Sequence, residues 1–260
     1  MNFISFLTDF GIHQEYVGVC KAVMLSINPD AVIVDISHTV TPYNILEAAF
    51  MLKSFVVYAP QGVHVAVIDP GVGTQRKGVA IQTVRGDYLV GPDNGVLSWA
   101  AESLGIATVV ALENKTYMRE HISSSFHGRD IFAPAGAYLS RGILLEDLGS
   151  PLQENSLCTV PVPTWKKDKT GIHGHVLRID RFGNIQTTIH AEALEKRTTV
   201  TVEIGDHALI IPVVTTFGEV THGEFLLYED SDGLLTVAQN QENAARTLSI
   251  SPMSEVTIRS

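Results

Sequence analysis

Over the first 150 residues, short apolar runs alternate with apolar positions at helical spacing. Residues 2–7 (NFISFL) and Val32–Ile36 read as short buried strands. Val63–Ile68 is an apolar, β-branched run broken only by His64. It reads as a strand buried on both faces that ends at Asp69. Between these runs, Val17, Cys20, Val23, Met24 and Ile27 line one face of a helix that Pro29 stops. Ile45, Ala48, Ala49 and Leu52 mark a second helix, with Thr41 as its predicted N-cap and Pro42 at its first position. Further strands are predicted at Val79–Val84, Tyr88–Val90 and Ala107–Leu112. Gly91-Pro92-Asp93-Asn94-Gly95 leads into a helix that runs through Leu104. The polar stretch 113–125 reads as a loop, and residues 130–140 as a helix whose Pro134 requires a start or a kink. Strands alternating with helices predict an N-terminal α/β layer domain, residues 1–150, with a mostly parallel sheet.

The pattern then changes. Pro151, Pro161 and Pro163 fall in a stretch read as an extended linker, residues 151–171. Beyond it come short strands at 173–179, 185–190, 199–204, 208–214, 225–229, 234–238 and 255–258. Turn signals separate several of them, at Phe182-Gly183-Asn184, Gly205-Asp206 and Ser231-Asp232-Gly233. Residues 172–260 are therefore expected to form a smaller antiparallel β-barrel domain.

Composition narrows the possibilities. Hydrophobic residues make up 45% of the 260, enough for a sizeable core, and charged residues only 18%, which argues against disorder. The net charge of −10 argues against a nucleic-acid partner, which needs a basic footprint. No apolar run approaches a membrane span, and the N-terminus is a poor signal peptide because Asp9 arrives early. Cys20 and Cys158 are isolated, which suits a reducing cytoplasm and excludes a thiolate zinc site.

Candidate chemistry gathers where predicted strands end. Asp9 follows the first strand, and Asp69 follows the third and is succeeded by Pro70, Gly71, Gly73 and Arg76. In an open α/β sheet, ligands bind at the carboxyl ends of the strands. His127 and Asp130 lie on a later loop. Two arrangements fit these residues: a divalent metal held by Asp9, Asp69, His127 and Asp130, or a metal-free polar cluster of Asp69, Arg76 and His127. The N-terminal domain that carries these residues offers no histidine pair or cysteine cluster with metal-ligand spacing, which weakens the first. In the second domain, Asp180, Phe182 and Asn184 share one turn, and Tyr228-Glu229-Asp230-Ser231-Asp232-Gly233 forms another.

Motifs along nearly the whole chain give a resemblance. They are TDFG (8–11), YVG (16–18), VDISH (34–38), IDPGVG (68–73) with Arg76, GPDNG (91–95), FHGRD (126–130), FGN (182–184) and DSDG (230–233) with Asn240. In this order they resemble the S-adenosylmethionine hydroxide adenosyltransferases, adenosine-forming hydrolases related to the fluorinase. The resemblance implies no cofactor beyond the substrate and no metal. It also implies a homotrimer with each site between the N-terminal domain of one subunit and the C-terminal domain of the next. Asp69, Arg76 and His127 fall on the triad that binds the nucleophilic water. Asp9 would meet the ribose hydroxyls and Tyr43 the sugar; Asp180 and Ser231 the methionine ammonium and carboxylate; Phe217 the adenine face and Asn184 its edge. Phe126, Phe182 and Asn240 complete the implied substrate set. Halide-using relatives carry tyrosine in place of Asp69 and serine in place of Gly128, so those two positions favour hydroxide over halide. Gln14-Glu15 departs from the family's first loop.

Overall fold

A computed structural model describes residues 1–161, 163–195 and 197–259. The chain divides into two compact units, Met1–Pro161 and Val162–Ser260. Unit one holds β1 (Phe3–Thr8), α1 (Tyr16–Ile27), β2 (Val32–Ser37), α2 (Ile45–Val56), β3 (Val63–Val67), β4 (Gly78–Thr83), β5 (Tyr88–Pro92), α3 (Ser98–Leu104), β6 (Ile106–Ala111) and α4 (Ala133–Ser140). Its sheet has the order β2-β1-β3-β5-β4-β6. The pairs β1–β2, β1–β3 and β3–β5 are parallel, while β4 runs antiparallel to β5 and β6. The sheet is thus mostly parallel, as expected, with its exceptions gathered at one edge.

Strand β3 shows why this sheet is covered on both faces. Val63, Val65 and Val67 join the core formed with α1 and α4, while Ala66 and Ile68 join the core formed with α2 and α3. Successive side chains of a strand point to opposite faces, so a continuous apolar run needs helices on both. His64 sits in this run fully buried because both ring nitrogens are satisfied. Nδ1 lies 2.8 Å from Ser5 Oγ, and Nε2 lies 3.2 Å from Asp87 Oδ1. Asp87 is in turn gripped by Arg85 Nε at 2.6 Å.

Three local expectations are corrected. The helix expected to start at Thr41-Pro42 starts later: Asn44 caps α2, its side chain accepting from Glu47 N–H at 3.1 Å. The carboxylate of Glu47 reaches back to Thr41 N–H, so residues 41–44 form a turn with Tyr43 at φ 67°. The third strand stops at Val67, two residues short of Asp69. The helix expected over 130–140 is two pieces, a π-helical turn Gly128–Phe132 followed by α4, and Pro134 lies in the first turn of α4, where no intrahelical N–H is needed.

Residues 151–161, the first half of the stretch read as a linker, are bonded into unit one. Leu152 N–H donates to Val109 O, and Trp99 Nε1 donates to Val160 O at 2.8 Å. Unit two comprises β7 (Lys166–Asp168), β8 (Gly171–Ile179), β9 (Ile185–His190), β10 (Thr199–Ile204), β11 (His207–Pro212), β12 (Phe225–Glu229), β13 (Leu234–Gln239), α5 (Ala244–Leu248) and β14 (Glu255–Arg259). The antiparallel order β11-β10-β14-β8-β9-β13-β12, with β7 on β8, curls until Val213, just past β11, bridges Leu227 of β12. The result is a nearly closed barrel around Val176, Ile189, Val202 and Val237. Among the described residues, no helix is long and apolar enough to cross a membrane.

Candidate active site

Strands β1 and β3 are parallel neighbours, with Thr8 in register with Val67. Their carboxyl ends therefore deliver Asp9 and Asp69 to the same edge of the sheet. The end of β3 is held by the Gly91–Gly95 motif, where Asn94 Nδ2 donates to Ile68 O at 2.8 Å. The turn after Asp69 folds back so that Arg76 grips it with two parallel hydrogen bonds. Nε donates to Oδ1 at 2.8 Å, and Nη2 donates to Oδ2. Both side chains are largely buried, which makes this pairing stronger than an exposed one. The guanidinium also lies over the Phe132 ring, 5.1 Å from its centroid.

Arg76 then reaches His127, with Nη2 2.7 Å from the imidazole Nδ1. A guanidinium only donates, so Nδ1 must accept, and the ring proton of neutral His127 resides on Nε2. Burial holds the His127 pKa below the usual 6.5, and the Arg76 charge pushes in the same direction. The histidine is therefore a neutral donor at neutral pH, and the three residues form one polar chain, Asp69–Arg76–His127.

Asp69 and His127 face a cleft of about 350 Å³ whose lining also includes Asp9, Tyr43, Phe126 and Gly128. Asp9 Oδ2 accepts Tyr43 N–H at 2.9 Å, which fixes the strained Tyr43 turn at the rim, where Tyr43 is 71% exposed. Phe126 packs edge-on against Phe10 and Tyr16. At Gly128 a Cβ would fall 2.8 Å from Phe10 Cζ, so the glycine lets this aromatic wall close on the cleft. Phe10 and Tyr16 also line the cleft. Both lie within the motifs quoted above, but nothing in the sequence alone singles them out as site residues.

Asp130 does not join the cluster. It is fully buried, its carboxylate bonded by Arg129 Nε at 2.6 Å and Ser123 N–H at 2.8 Å. A four-residue metal set of Asp9, Asp69, His127 and Asp130 is thus not formed.

In unit two, Asp180 organises its turn. Oδ1 accepts the N–H groups of Phe182 and Asn184, and Oδ2 accepts Asn184 Nδ2 at 2.7 Å. Phe182 projects from that turn, 76% exposed. Phe217 packs on Tyr228, centroids 5.0 Å apart. Burial and the nearby carboxylates of Asp230 and Asp180 push the Tyr228 phenol up to about 12. Ser231 sits in the turn knotted by Asp230, which accepts from the N–H groups of Asp232 and Leu234 and from Thr236 Oγ1. Asn240 is buried and donates from Nδ2 to Val220 O at 2.9 Å, an engagement with its own loop. In the sequence Tyr228 is only one member of a turn; its place between two acidic turns emerges from the fold.

Two family models match in chain order: the SAM hydroxide adenosyltransferase N-terminal domain over residues 4–149, and the corresponding C-terminal domain over 174–257. The chain belongs to the SAM hydroxide adenosyltransferase family. A family member from Salinispora tropica named (R)-S-adenosyl-L-methionine hydrolase is 38% identical, the match covering 96% of this chain and 94% of the relative. Another bearing that name, from Methanocaldococcus jannaschii, is 35% identical over 99% of this chain and 96% of its own. A fluorinase from an Actinoplanes species is more distant, 27% identical over 91% of this chain and 90% of its own. A crystal structure of an uncharacterized conserved protein from Thermotoga maritima superposes with a TM-score of 0.90. It is 38% identical and is matched over 98% of this chain and 99% of that one.

Proposed function

We propose that this enzyme cleaves S-adenosyl-L-methionine with water, giving adenosine and L-methionine. The observation that carries this reading is the Asp69–Arg76–His127 chain, whose two ends Asp69 and His127 line the cleft, in a family whose relatives of 35–38% identity are named for this hydrolysis.

In the reaction a water oxygen forms a bond to C5′ as the C5′–S bond breaks. The electron pair goes to sulfur, which leaves as the neutral thioether of methionine, so the leaving group requires no acid. The difficulty lies with the nucleophile, because free water has a pKa of about 15.7. Three groups address it. His127 offers its Nε2–H to the water oxygen, and the fixed charge of Arg76 stabilises the negative charge that develops there. His127 cannot itself take the proton at Nδ1 while Arg76 occupies that nitrogen, so the acceptor in this reading is Asp69. Its carboxylate oxygens keep lone pairs beyond the two that Arg76 uses. The chemistry uses no group other than the substrate and these side chains.

The remaining contacts follow the family resemblance. Asp9 and Tyr43 hold the sugar, and Phe126 walls the cleft. Asp180, Phe182, Asn184, Phe217, Ser231 and Asn240 take the adenine and the methionine end, supplied by the second unit of a neighbouring copy in a homotrimer. The enzyme works in the cytoplasm.

A halogenase is the second reading. Asp69 disfavours it: it lines the cleft at the position where the resemblance gives halide-using relatives a tyrosine, and a carboxylate can take the proton that water must lose, which a halide does not need. The test is incubation with S-adenosylmethionine in the presence and absence of chloride or fluoride. Adenosine and methionine in equal amounts under both conditions support hydrolysis. A 5′-halo-5′-deoxyadenosine that replaces adenosine when halide is added makes the protein a halogenase, and bound substrate without products makes it a sensor.

A further inference from the structure

The segment that carries His127 is tied down at a residue outside the cleft. Asp130 receives Ser123 N–H on Oδ2 and the Arg129 guanidinium on both oxygens. Its backbone carbonyl accepts Arg119 N–H at 3.0 Å. One buried residue thus fastens both ends of the 119–123 segment to the π-helical turn that His127 leads into. A π-helical turn costs hydrogen-bond quality relative to an α-helix and persists where a side chain must be aimed. His127 is the residue immediately before this turn, and its Nδ1 lies 2.7 Å from Arg76 Nη2.

The same segment touches the other half of the polar chain. Gly73, in the turn between Asp69 and Arg76, lies so close to Ser124 that a Cβ would fall 2.2 Å from the Ser124 carbonyl oxygen. At φ 74° the position already favours glycine. Ser123, held by Asp130, is the immediate neighbour of that contact. The turn presenting Arg76 and the loop presenting His127 are therefore registered against each other through Ser123–Ser124, and Asp130 is the anchor of that registration.

We propose that Asp130 is a positioning residue for the reaction. Through Ser123 it fixes the 123–127 loop against the Gly73 turn, and so sets the Arg76–His127 hydrogen bond. Its carboxylate touches neither the cleft nor the polar chain. The inference rests on the hydrolase reading above, and its test keeps the two apart.

The experiment compares the wild type with Asp130→Asn. The variant keeps the size of the side chain, but either amide orientation sets Nδ2 against Ser123 N–H or against the Arg129 guanidinium, so the bonds to Ser123 and Arg129 cannot both be kept. Substrate affinity is read by calorimetry, turnover by adenosine release per folded molecule, and the His127 tautomer by nitrogen-15 NMR of the imidazole. The expected result is affinity within about 3-fold of wild type and kcat lower by roughly 10- to 100-fold, the scale on which small misplacements act. The single Nε2–H signature of wild-type His127 is expected to give way to a tautomer mixture. Ser123→Pro, which removes the N–H that Asp130 accepts and leaves the Asp130–Arg129 pair in place, provides the comparison should Asp130→Asn fail to fold. A variant with wild-type kcat per folded molecule and an unchanged His127 signature overturns the proposal, because Asp130 then serves the fold alone. Equal losses in affinity and kcat also overturn it. A wild type that releases no adenosine refutes the hydrolase reading instead, and the NMR comparison still decides the positioning.

Discussion

Arg76 stands between Asp69 and His127, one edge of its guanidinium paired to the carboxylate and Nη2 donating to Nδ1 of the imidazole at 2.7 Å. The consequence is directional. A cation that only donates fixes the imidazole as an acceptor on one side and a donor on the other. His127 is thereby left with its proton on Nε2, and in the proposed reaction the acceptor's part falls to Asp69.

Asp69→Asn tests that assignment. The amide is nearly isosteric, so the turn through Gly73 is expected to survive. Arg76 loses a charged partner, and either amide rotamer sets Nδ2 against one of its two donors. A loss of ~2–3 kcal/mol at the transition state corresponds to roughly 30–150-fold in rate. Calorimetric binding within a few-fold of wild type beside that rate loss is the expected outcome. Binding that collapses with the rate would make Asp69 a structural cap or a ligand contact.

The pH profile tests His127. Its pKa lies below the usual 6.5, through burial and then through Arg76, and protonation at Nδ1 breaks the bond to Arg76. Activity is therefore expected to be flat through neutral pH and to fall in acid, with an inflection below 6.5. The unfolded chain binds this proton first as pH drops, so the same group also lowers stability as pH falls beneath 6.5. His127→Ala is expected to lose about 10²–10³-fold in kcat, the usual effect of deleting one oxyanion donor, and to abolish that inflection. An inflection unchanged in His127→Ala belongs to another group.

The polar chain is unevenly legible in the sequence. Asp69 and Arg76 are seven apart across a Pro-Gly turn, and their proximity follows from local chain geometry. His127 lies 51 residues beyond Arg76 and joins the cluster only through the family resemblance and then the fold. No local pattern carries its tautomer, which depends on a tertiary donor. The start of α2 is ambiguous in the sequence because Thr41-Pro42 and Asn44 both offer capping chemistry, and the reciprocal bonds of Asn44 and Glu47 decide between them. A π-turn has the composition of an α-helix, so residues 128–132 do not stand apart from α4 in the sequence. The alternation of strands and helices and then of strands and turns, by contrast, reads both architectures directly.

Stability offers a test away from the cleft. Asp87 is fully buried between His64 and Arg85; burial alone raises its pKa, but the hydrogen bonds from these partners and from Gly62 N–H outweigh it and hold the carboxyl below the usual 3.8. A depressed carboxyl contributes stability above the unfolded pKa and loses it as pH falls through the folded one. Asp87→Asn is expected to destabilise by ~3–5 kcal/mol, as breaking a buried pair does, and the gap to wild type should narrow below about pH 4. Thermal melts from pH 6 to pH 2 measure it, and a gap independent of pH contradicts the assignment.

Sharing of sites between copies is tested by mixing. Asp9→Ala and Asp180→Ala chains are each expected to be nearly inactive, and co-refolding them should restore a fraction of turnover by uniting two intact halves at some interfaces. If exchange of the chains is verified by mass spectrometry and no activity returns, each site is built within one chain.

The most direct test of the whole account follows the oxygen. The protein is incubated with S-adenosylmethionine in oxygen-18 water, halide-free and with chelator, and the products are separated by mass spectrometry. The expected result is adenosine carrying one heavy oxygen at C5′, with unlabelled methionine in equal amount. Unlabelled adenosine, a nucleoside other than adenosine, or turnover abolished by the chelator would contradict attack by water held on Asp69, Arg76 and His127.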